Sequence, residues 1–198
     1  IAVDTETTDV QPMFARLVGV SLCARPGKAY YVPIGHAPPD LEELMNEGAG
    51  SGIGFDGKAA LAMLKPLLEN PSIKKIGHNI KYDIIVLRRA GIEVRGVTMD
   101  TMVASYLTDA SRLRHNLDDL SLHYFNHKKI PISDLIGSGS KSITFDCVPV
   151  DKAATYACED ADMTLRLAEV LLLLLKKDGL DSLFDTVELP LIHVLTTM

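Results

Sequence analysis

The sequence contains no tryptophan, few other aromatic residues and only three cysteines, Cys23, Cys147 and Cys158. An odd number of cysteines without C-x-x-C spacing indicates neither a disulfide framework nor a structural zinc site. We therefore expect the protein to work in a reducing, intracellular setting.

Long hydrophobic runs are also missing. The longest, Val170 to Leu175, is far shorter than the roughly 20 apolar residues that a membrane-spanning helix needs. The residues before Asp4 do not form a signal peptide, which would have a basic start followed by an apolar stretch. We expect no membrane span and no membrane partner. Because the chain starts inside a predicted strand without a methionine and ends as abruptly, residues 1–198 are expected to be one domain of a longer protein.

Positive charge is scarce: 20 Lys and Arg residues stand against 26 Asp and Glu residues, for a net charge of −6. A passive duplex-binding protein would carry a basic surface, so that class is disfavoured. A nuclease remains compatible, because carboxylates that hold divalent cations make a sequence acidic while the loaded site attracts phosphate. The 47% of apolar residues are typical of a globular protein.

Alternating polarity and β-forming residues predict three successive strands, at 1–7, 17–24 and 29–34. Helices and short strands then alternate, and further helices follow. The predicted helices are 59–69, 80–90, 101–107, 117–124 and 151–177, the strands are 74–77 and 94–99, and the loops are 38–54 and a mobile 136–144. This order predicts an α/β fold with a mixed five-stranded sheet, three antiparallel strands first, flanked by helices on both faces.

Two acids, Asp4 and Glu6, alternate along the first predicted strand, so both carboxylates point to one face. Such a pair is costly without a partner, and a hard cation with oxygen ligands is a suitable one. A lone D-x-E is nevertheless more often a solvated strand end.

Two pairs of residues are each spaced four apart on predicted helices. They are Asn79 with Asp83, and Tyr156 with Asp160. Each pair shares one helix face. Alone, Asp83 is simply an acid that complements the helix dipole, and Tyr156 a half-buried aromatic. Three motifs in order on a strand, a helix start and a long helix together favour one shared site. The neighbouring Glu159 and Asp162 are expected to be solvated.

These motifs resemble those of the DEDD exonucleases of the RNase H-like fold, and specifically the proofreading domain of bacterial family A DNA polymerase I. The likeness runs through nearly the whole chain. Tyrosine in the last motif, where other branches have histidine, is similar to the DEDDy branch. The matching stretches are Asp4–Thr7, Gly77–Asp83, Met99–Met102 and Tyr156–Asp162.

The resemblance implies a two-metal 3′→5′ exonuclease that releases 5′-mononucleotides from single-stranded or frayed DNA, as proofreading in replication and repair. Asp4, Glu6 and Asp160 would hold one ion, and Asp4 with Asp83 the second. The ions would be Mg²⁺ or Mn²⁺, with Zn²⁺ as an alternative in one position. Tyr156, with an ordinary pKa of about 10, would orient the attacking water rather than act as a base.

The same resemblance implies that Thr7, Asn79, Tyr82 and Arg114 contact the terminal nucleotides. Ile132 stands where a substrate-facing aromatic is expected, which puts stacking at that position in doubt. His78 is interpreted as structural. A local basic rim is a further hypothesis, although ordinary surface charge explains the same residues more simply; its members are Arg112, Arg114, His115, Lys128 and Lys129.

The implied partners are a single-stranded DNA 3′ end and a polymerase domain of the same chain, in a monomer of the bacterial cytoplasm associated with the nucleoid. The segment from Val187 to Met198 resembles a connection into such a domain. Two alternatives stay open. One is a stand-alone exoribonuclease of the RNase D kind, and the other is a nuclease fold kept as a catalytically silent scaffold of a polymerase.

Overall fold

The computed structural model describes residues 1–37, 56–139 and 142–198, so the whole predicted loop at 38–54 lies outside the described residues. One sheet of five strands runs through the described part, in the order β3-β2-β1-β4-β5. The first three strands pair antiparallel, and β1, β4 and β5 pair parallel. The predicted mixed sheet is confirmed. The strands are β1 Ala2–Thr7, β2 Leu17–Arg25, β3 Lys28–Pro33, β4 Lys75–Gly77 and β5 Val97–Asp100.

Helices connect the later strands and follow the sheet. A 3-10 turn, Phe145–Cys147, precedes the longest helix, and a π-helical turn, Phe184–Glu188, precedes the last one. No helix in the described ranges is both long and apolar enough to cross a membrane. The helices are α1 Gly57–Leu68, α2 Lys81–Arg89, α3 Thr101–Thr108, α4 Leu117–Phe125, α5 Ser133–Ile136, α6 Val150–Lys177, α7 Asp181–Leu183 and α8 Leu189–Leu195.

The sheet buries apolar residues on both faces, because consecutive strand residues point to opposite sides. Val3 and Val20 pack in a cluster with residues of α1 and α2. Ala2 and Cys23 pack instead against Ala161 and Leu165 of α6. Helices therefore cover both faces, as the sequence predicts.

Alanines at Ala153, Ala157 and Ala161 are fully buried along α6. Their spacing of four residues puts them on one stripe of the helix. Small side chains there let the helix lie close to β1, β2 and β3. This packing brings Tyr156 and Asp160, on the adjoining face of α6, to the end of the sheet that carries Asp4 and Glu6.

The fifth strand begins later than predicted, at Val97 rather than Val94. Arg95 N–H donates to Leu68 O at 3.0 Å, and Gly96 has a φ of 75° that an extended strand cannot adopt. A Cβ at Gly96 would lie 2.7 Å from Pro71 O, so only glycine fits this close approach. A tight turn, which periodicity does not reveal, replaces the start of the strand.

The predicted loop at 136–144 overlaps the end of α5, and residues 140 and 141 lie outside the described part. Gly137, with a φ of 75°, ends the helix. Ile143 N–H donates to Ile136 O at 2.9 Å, which closes the loop across its base.

Candidate active site

Four acidic side chains meet where the carboxyl ends of β1 and β4 approach α2 and α6. Asp4 and Glu6 lie on the face of β1 that carries Ala2, as the alternation predicts. Asp83, in the first turn of α2, is 3% exposed, and its Oδ1 accepts a hydrogen bond from Thr5 Oγ1 at 2.6 Å. Asp160 of α6 is also buried.

The four carboxyl groups affect one another electrostatically. Burial raises the pKa of Asp4 well above its ordinary value, and the charges of Asp83, Glu6 and Asp160 raise it further. Burial and then Asp160 raise the pKa of Glu6. Burial also raises the pKa of Asp83 to about 7 and that of Asp160 to about 6. Negative charge is therefore unfavourable here unless a cation joins the group.

The side chains are close neighbours but not a ready-made metal cage. Within residues 1–37, 56–139 and 142–198, no three His, Cys, Asp or Glu side chains are arranged to hold an ion. The chemistry of the donors nevertheless fits a hard divalent cation, because all four are carboxylates. Glu6 Oε1 is buried and accepts no hydrogen bond from any described residue, so it has an unused lone pair.

Lys129 supplies a positive charge inside this acidic cluster. Its Nζ lies 2.5 Å from Asp160 Oδ1 and 2.9 Å from Asp118 Oδ1, and its side chain is only 2% exposed. The hypothesis of a basic rim is wrong for this residue, and also for His115, which is buried against the Tyr106 ring. Arg114 and Lys128 are exposed.

Tyr156 lies one turn before Asp160 on α6, as the four-residue spacing predicts. Its ring packs 6.0 Å from that of Phe145 and 5.3 Å from the Lys129 ammonium. Burial, followed by the charges of Asp160 and Glu6, raises the pKa of the Tyr156 hydroxyl. The group therefore stays protonated and can donate a hydrogen bond.

Asn79 does not lie on the helix with Asp83, contrary to the shared-face prediction. It precedes α2 with a φ of 60°, a conformation that asparagine adopts more readily than most residues. Asp100 fixes this turn, because its carboxylate accepts Asn79 N–H at 3.1 Å and Ile80 N–H at 2.9 Å. The same carboxylate caps α3 through Met102 N–H at 2.9 Å and Val103 N–H at 3.2 Å.

The other residues expected at the substrate lie around the cluster to different degrees. The Thr7 and Tyr82 hydroxyls hydrogen-bond each other, and Tyr82 also donates to Asp9 O. The Arg114 side chain is 76% exposed, and its ion-pair partner is Asp119 at 4.0 Å. Hydrogen bonds thus join Thr7 and Tyr82 to each other and to Asp9, whereas the exposed Arg114 forms an ion pair with Asp119 alone among the described residues.

The expectation that Glu159 and Asp162 are solvated is wrong. Glu159 accepts a hydrogen bond from Ile130 N–H at 2.8 Å and pairs with His127 Nε2 at 2.8 Å. It thereby ties the segment that carries Lys129 to α6. Asp162 accepts from Gly27 N–H at 2.6 Å and Arg166 Nε at 2.9 Å. Arg166 is four residues from Asp162 on the same helix, so helical spacing could have indicated that pair, whereas the partners Gly27, His127 and Ile130 come from elsewhere in the chain.

Two further side chains border the acids without a signal in the sequence. Tyr31 lies over Gly19, where a Cβ would come within 2.1 Å of its hydroxyl oxygen. Burial and then the charges of Glu6 and Asp4 raise its pKa. His78, interpreted as structural, is hydrogen-bonded to Thr101 Oγ1 at 2.8 Å, and burial lowers its pKa to about 4.

Comparison with solved structures identifies the fold. The fold superposes on Brucella melitensis NrnC with bound Mg²⁺, with a TM-score of 0.68 at 24% identity over 99% of this chain and 81% of that one. It also superposes on Escherichia coli RNase D, an exoribonuclease involved in structured RNA processing, with a TM-score of 0.65 at 16% identity over 100% of this chain and 44% of that one. The fold is that of the RNase H-like exonucleases.

Sequence comparison narrows the class further. DNA polymerase I of Pseudomonas aeruginosa is 41% identical over 198 residues, which cover 98% of this chain and 21% of that protein. The 3′-5′ exonuclease family of family A DNA polymerases matches residues 1–176, and the chain belongs to that family. It spans about a fifth of the length of the curated relatives it matches.

Proposed function

We propose that the chain is a two-metal 3′→5′ exonuclease domain that removes the terminal nucleotide from single-stranded or frayed DNA and releases 5′-mononucleotides. It would serve as the proofreading part of a longer bacterial DNA polymerase, in the cytoplasm at the nucleoid. The observation that carries this proposal is the convergence of the Asp4, Glu6, Asp83 and Asp160 carboxyl groups at one end of the sheet, where the charges of the other three raise the pKa of Asp4.

The proposed ligands divide between two ions. Asp4, Glu6 and Asp160 would hold one, and Asp4 with Asp83 the other, as Mg²⁺ or Mn²⁺ with Zn²⁺ as an alternative in one position. The Mg²⁺ of the Brucella neighbour supports a divalent ion in this fold. Such ions, when bound, supply the Lewis-acid charge that favours displacement at a phosphodiester phosphorus.

The remaining proposed roles belong to side chains around the acids. Because the pKa of Tyr156 is raised, its hydroxyl can donate a hydrogen bond and so orient the attacking water. Thr7, Tyr82 and Asn79 offer hydroxyl and amide groups for the terminal phosphate and sugar, and Arg114 an exposed charge for a phosphate further along the strand. Val10, 89% exposed and next to Asp9, offers an apolar contact for a base.

A DNA substrate is supported by the curated relatives, which are DNA polymerase I proteins over nearly all of this chain. The polymerase domain is accordingly proposed as the partner within the parent protein. RNase D shares the fold at 16% identity, which does not select a substrate.

Incubation with a 5′-labelled single strand, with Mg²⁺ and with a chelator, tests the activity. We expect a ladder of products shortened one nucleotide at a time, abolished by the chelator and by Asp160→Asn. Asp151→Asn, an exposed acid on the same helix, is the matched control and should leave the ladder unchanged.

Oligonucleotides of the same length and base order in DNA and in RNA separate the remaining alternatives. Faster degradation of RNA would favour an exoribonuclease. If neither oligonucleotide is degraded and calorimetry detects no Mn²⁺ binding, the chain is a silent scaffold and the proposal is contradicted.

A further inference from the structure

Lys129 lies within the acidic cluster, and the proposed exonuclease mechanism gives it no role. Its ammonium contacts Asp160 Oδ1 at 2.5 Å and Asp118 Oδ1 at 2.9 Å, and it faces the Tyr156 ring at 5.3 Å. It therefore joins the proposed metal ligand to the proposed water-orienting residue.

The surroundings hold this side chain in place. Burying an ammonium is unfavourable unless it is paired and hydrogen-bonded, and the side chain is 2% exposed. The carboxylates of Asp160 and Asp118, at 2.5 Å and 2.9 Å from the ammonium, supply this pairing. Glu159, bonded to Ile130 N–H and His127, anchors the adjoining backbone to α6.

The Lys129 ammonium lies among the proposed metal ligands and provides a positive charge there without a metal ion. The acids destabilise one another, and Asp160 is the one whose oxygen is paired with an ammonium. A divalent cation that takes Asp160 must replace this contact and would then lie close to a like charge.

We propose that Lys129 is a resident counter-cation of the metal centre, which pairs with Asp160 in the metal-free protein and gives up that carboxylate when a divalent ion binds. The inference rests on the proposed metal-dependent function. Asp118 is the alternative partner, because its side chain is 63% exposed and can follow the displaced ammonium without leaving it unpaired. The lysine stabilises the empty site and weakens metal binding, so it sets the ion concentration that the site requires.

Calorimetric titration of the 198-residue chain with Mn²⁺ alone, without nucleic acid, tests this role. Lys129→Met keeps much of the side-chain volume and removes the charge. We expect it to bind Mn²⁺ at least about 10-fold more tightly than the unchanged protein. Lys129→Arg keeps the charge and should bind nearly as the unchanged protein does. Asp118→Asn removes the alternative partner and should weaken binding.

Thermal unfolding in chelator checks folding and gives a second readout. Lys129→Met should melt at a lower temperature than the unchanged protein in chelator, and Mn²⁺ should raise its melting temperature by more. Mn²⁺ affinity that is equal or weaker in Lys129→Met, while the unchanged protein binds Mn²⁺, would overturn the counter-cation role and leave the proposed function standing. Mn²⁺ binding by Lys129→Met and not by the unchanged protein would support the counter-cation role. Mn²⁺ binding by neither protein would overturn both proposals.

Discussion

The raised pKa of Asp83 predicts that the metal-free protein loses stability as the pH rises. In the folded chain this pKa is about 7, against 3.8 for an ordinary aspartate, with burial as the main cause. Between these values the folded state binds more protons than the unfolded state, so the free energy of unfolding falls with increasing pH. At 1.36 kcal/mol per pKa unit, the full effect is on the order of 4 kcal/mol.

Urea unfolding in chelator at about pH 5 and about pH 8 measures this effect when the protein is compared with Asp83→Asn. The comparison is necessary because His78 titrates in the opposite sense. Its folded pKa of about 4 lies below the ordinary 6.5, so its contribution to stability grows with pH over that range. Asp83→Asn keeps His78, so the difference between the two proteins removes the contribution of His78 and leaves that of Asp83, including its effect on the pKa of Asp4 and Glu6.

About two pKa units of the shift lie between these two pH values, so we expect the unchanged protein to lose about 2–3 kcal/mol more than Asp83→Asn between them. Added Mn²⁺ should restore its stability at the higher pH, because a bound cation removes the penalty on the carboxylates. Equal pH dependence in the two proteins would show that Asp83 ionises normally. The reasoning from burial would then be refuted.

Three further predictions concern single side chains. Tyr156→Phe should lower kcat by about 100-fold and leave Mn²⁺ binding unchanged by calorimetry, whereas a normal rate would exclude the water-orienting role. Thr5→Val removes the 2.6 Å hydrogen bond that lowers the Asp83 pKa, so Asp83 should lose its proton at a higher pH. The increase of Mn²⁺ affinity with pH should therefore shift to higher pH than in the unchanged protein. Gly96→Ala should cost about 1–3 kcal/mol in urea unfolding, and more than Gly91→Ala, whose added Cβ meets no atom within 4 Å.

Regular periodicity made much of the fold predictable. The strand that carries Asp4 and Glu6, and the helix that carries Tyr156 and Asp160, follow from spacings of two and four residues. Local patterns of this kind fix which side chains share a face. The resemblance to a family then supplied the grouping of these faces into one site.

Contacts between distant segments were not predictable in this way. The sequence offers a surface rim, or more simply ordinary surface charge, for Lys129, because nothing near it in the chain marks Asp160 and Asp118 as partners. Glu159 was expected to be solvated, yet it accepts a backbone N–H from Ile130 across the site. The fifth strand does not extend back to Val94, because Gly96 lies in a tight turn against the backbone oxygens of residues 71 and 73. Each depends on tertiary packing, which sequence periodicity does not encode.

Asp100 links two segments that are far apart in the chain. One carboxylate gathers amides that precede α2 and amides that begin α3, although these segments are 20 or more residues apart. The start of the helix that bears Asp83 and the end of β5 are thus held together by a single side chain. Removing this carboxylate would release the turn before α2 and the start of α3 together, so the position of Asp83 depends on a residue outside the proposed metal ligands.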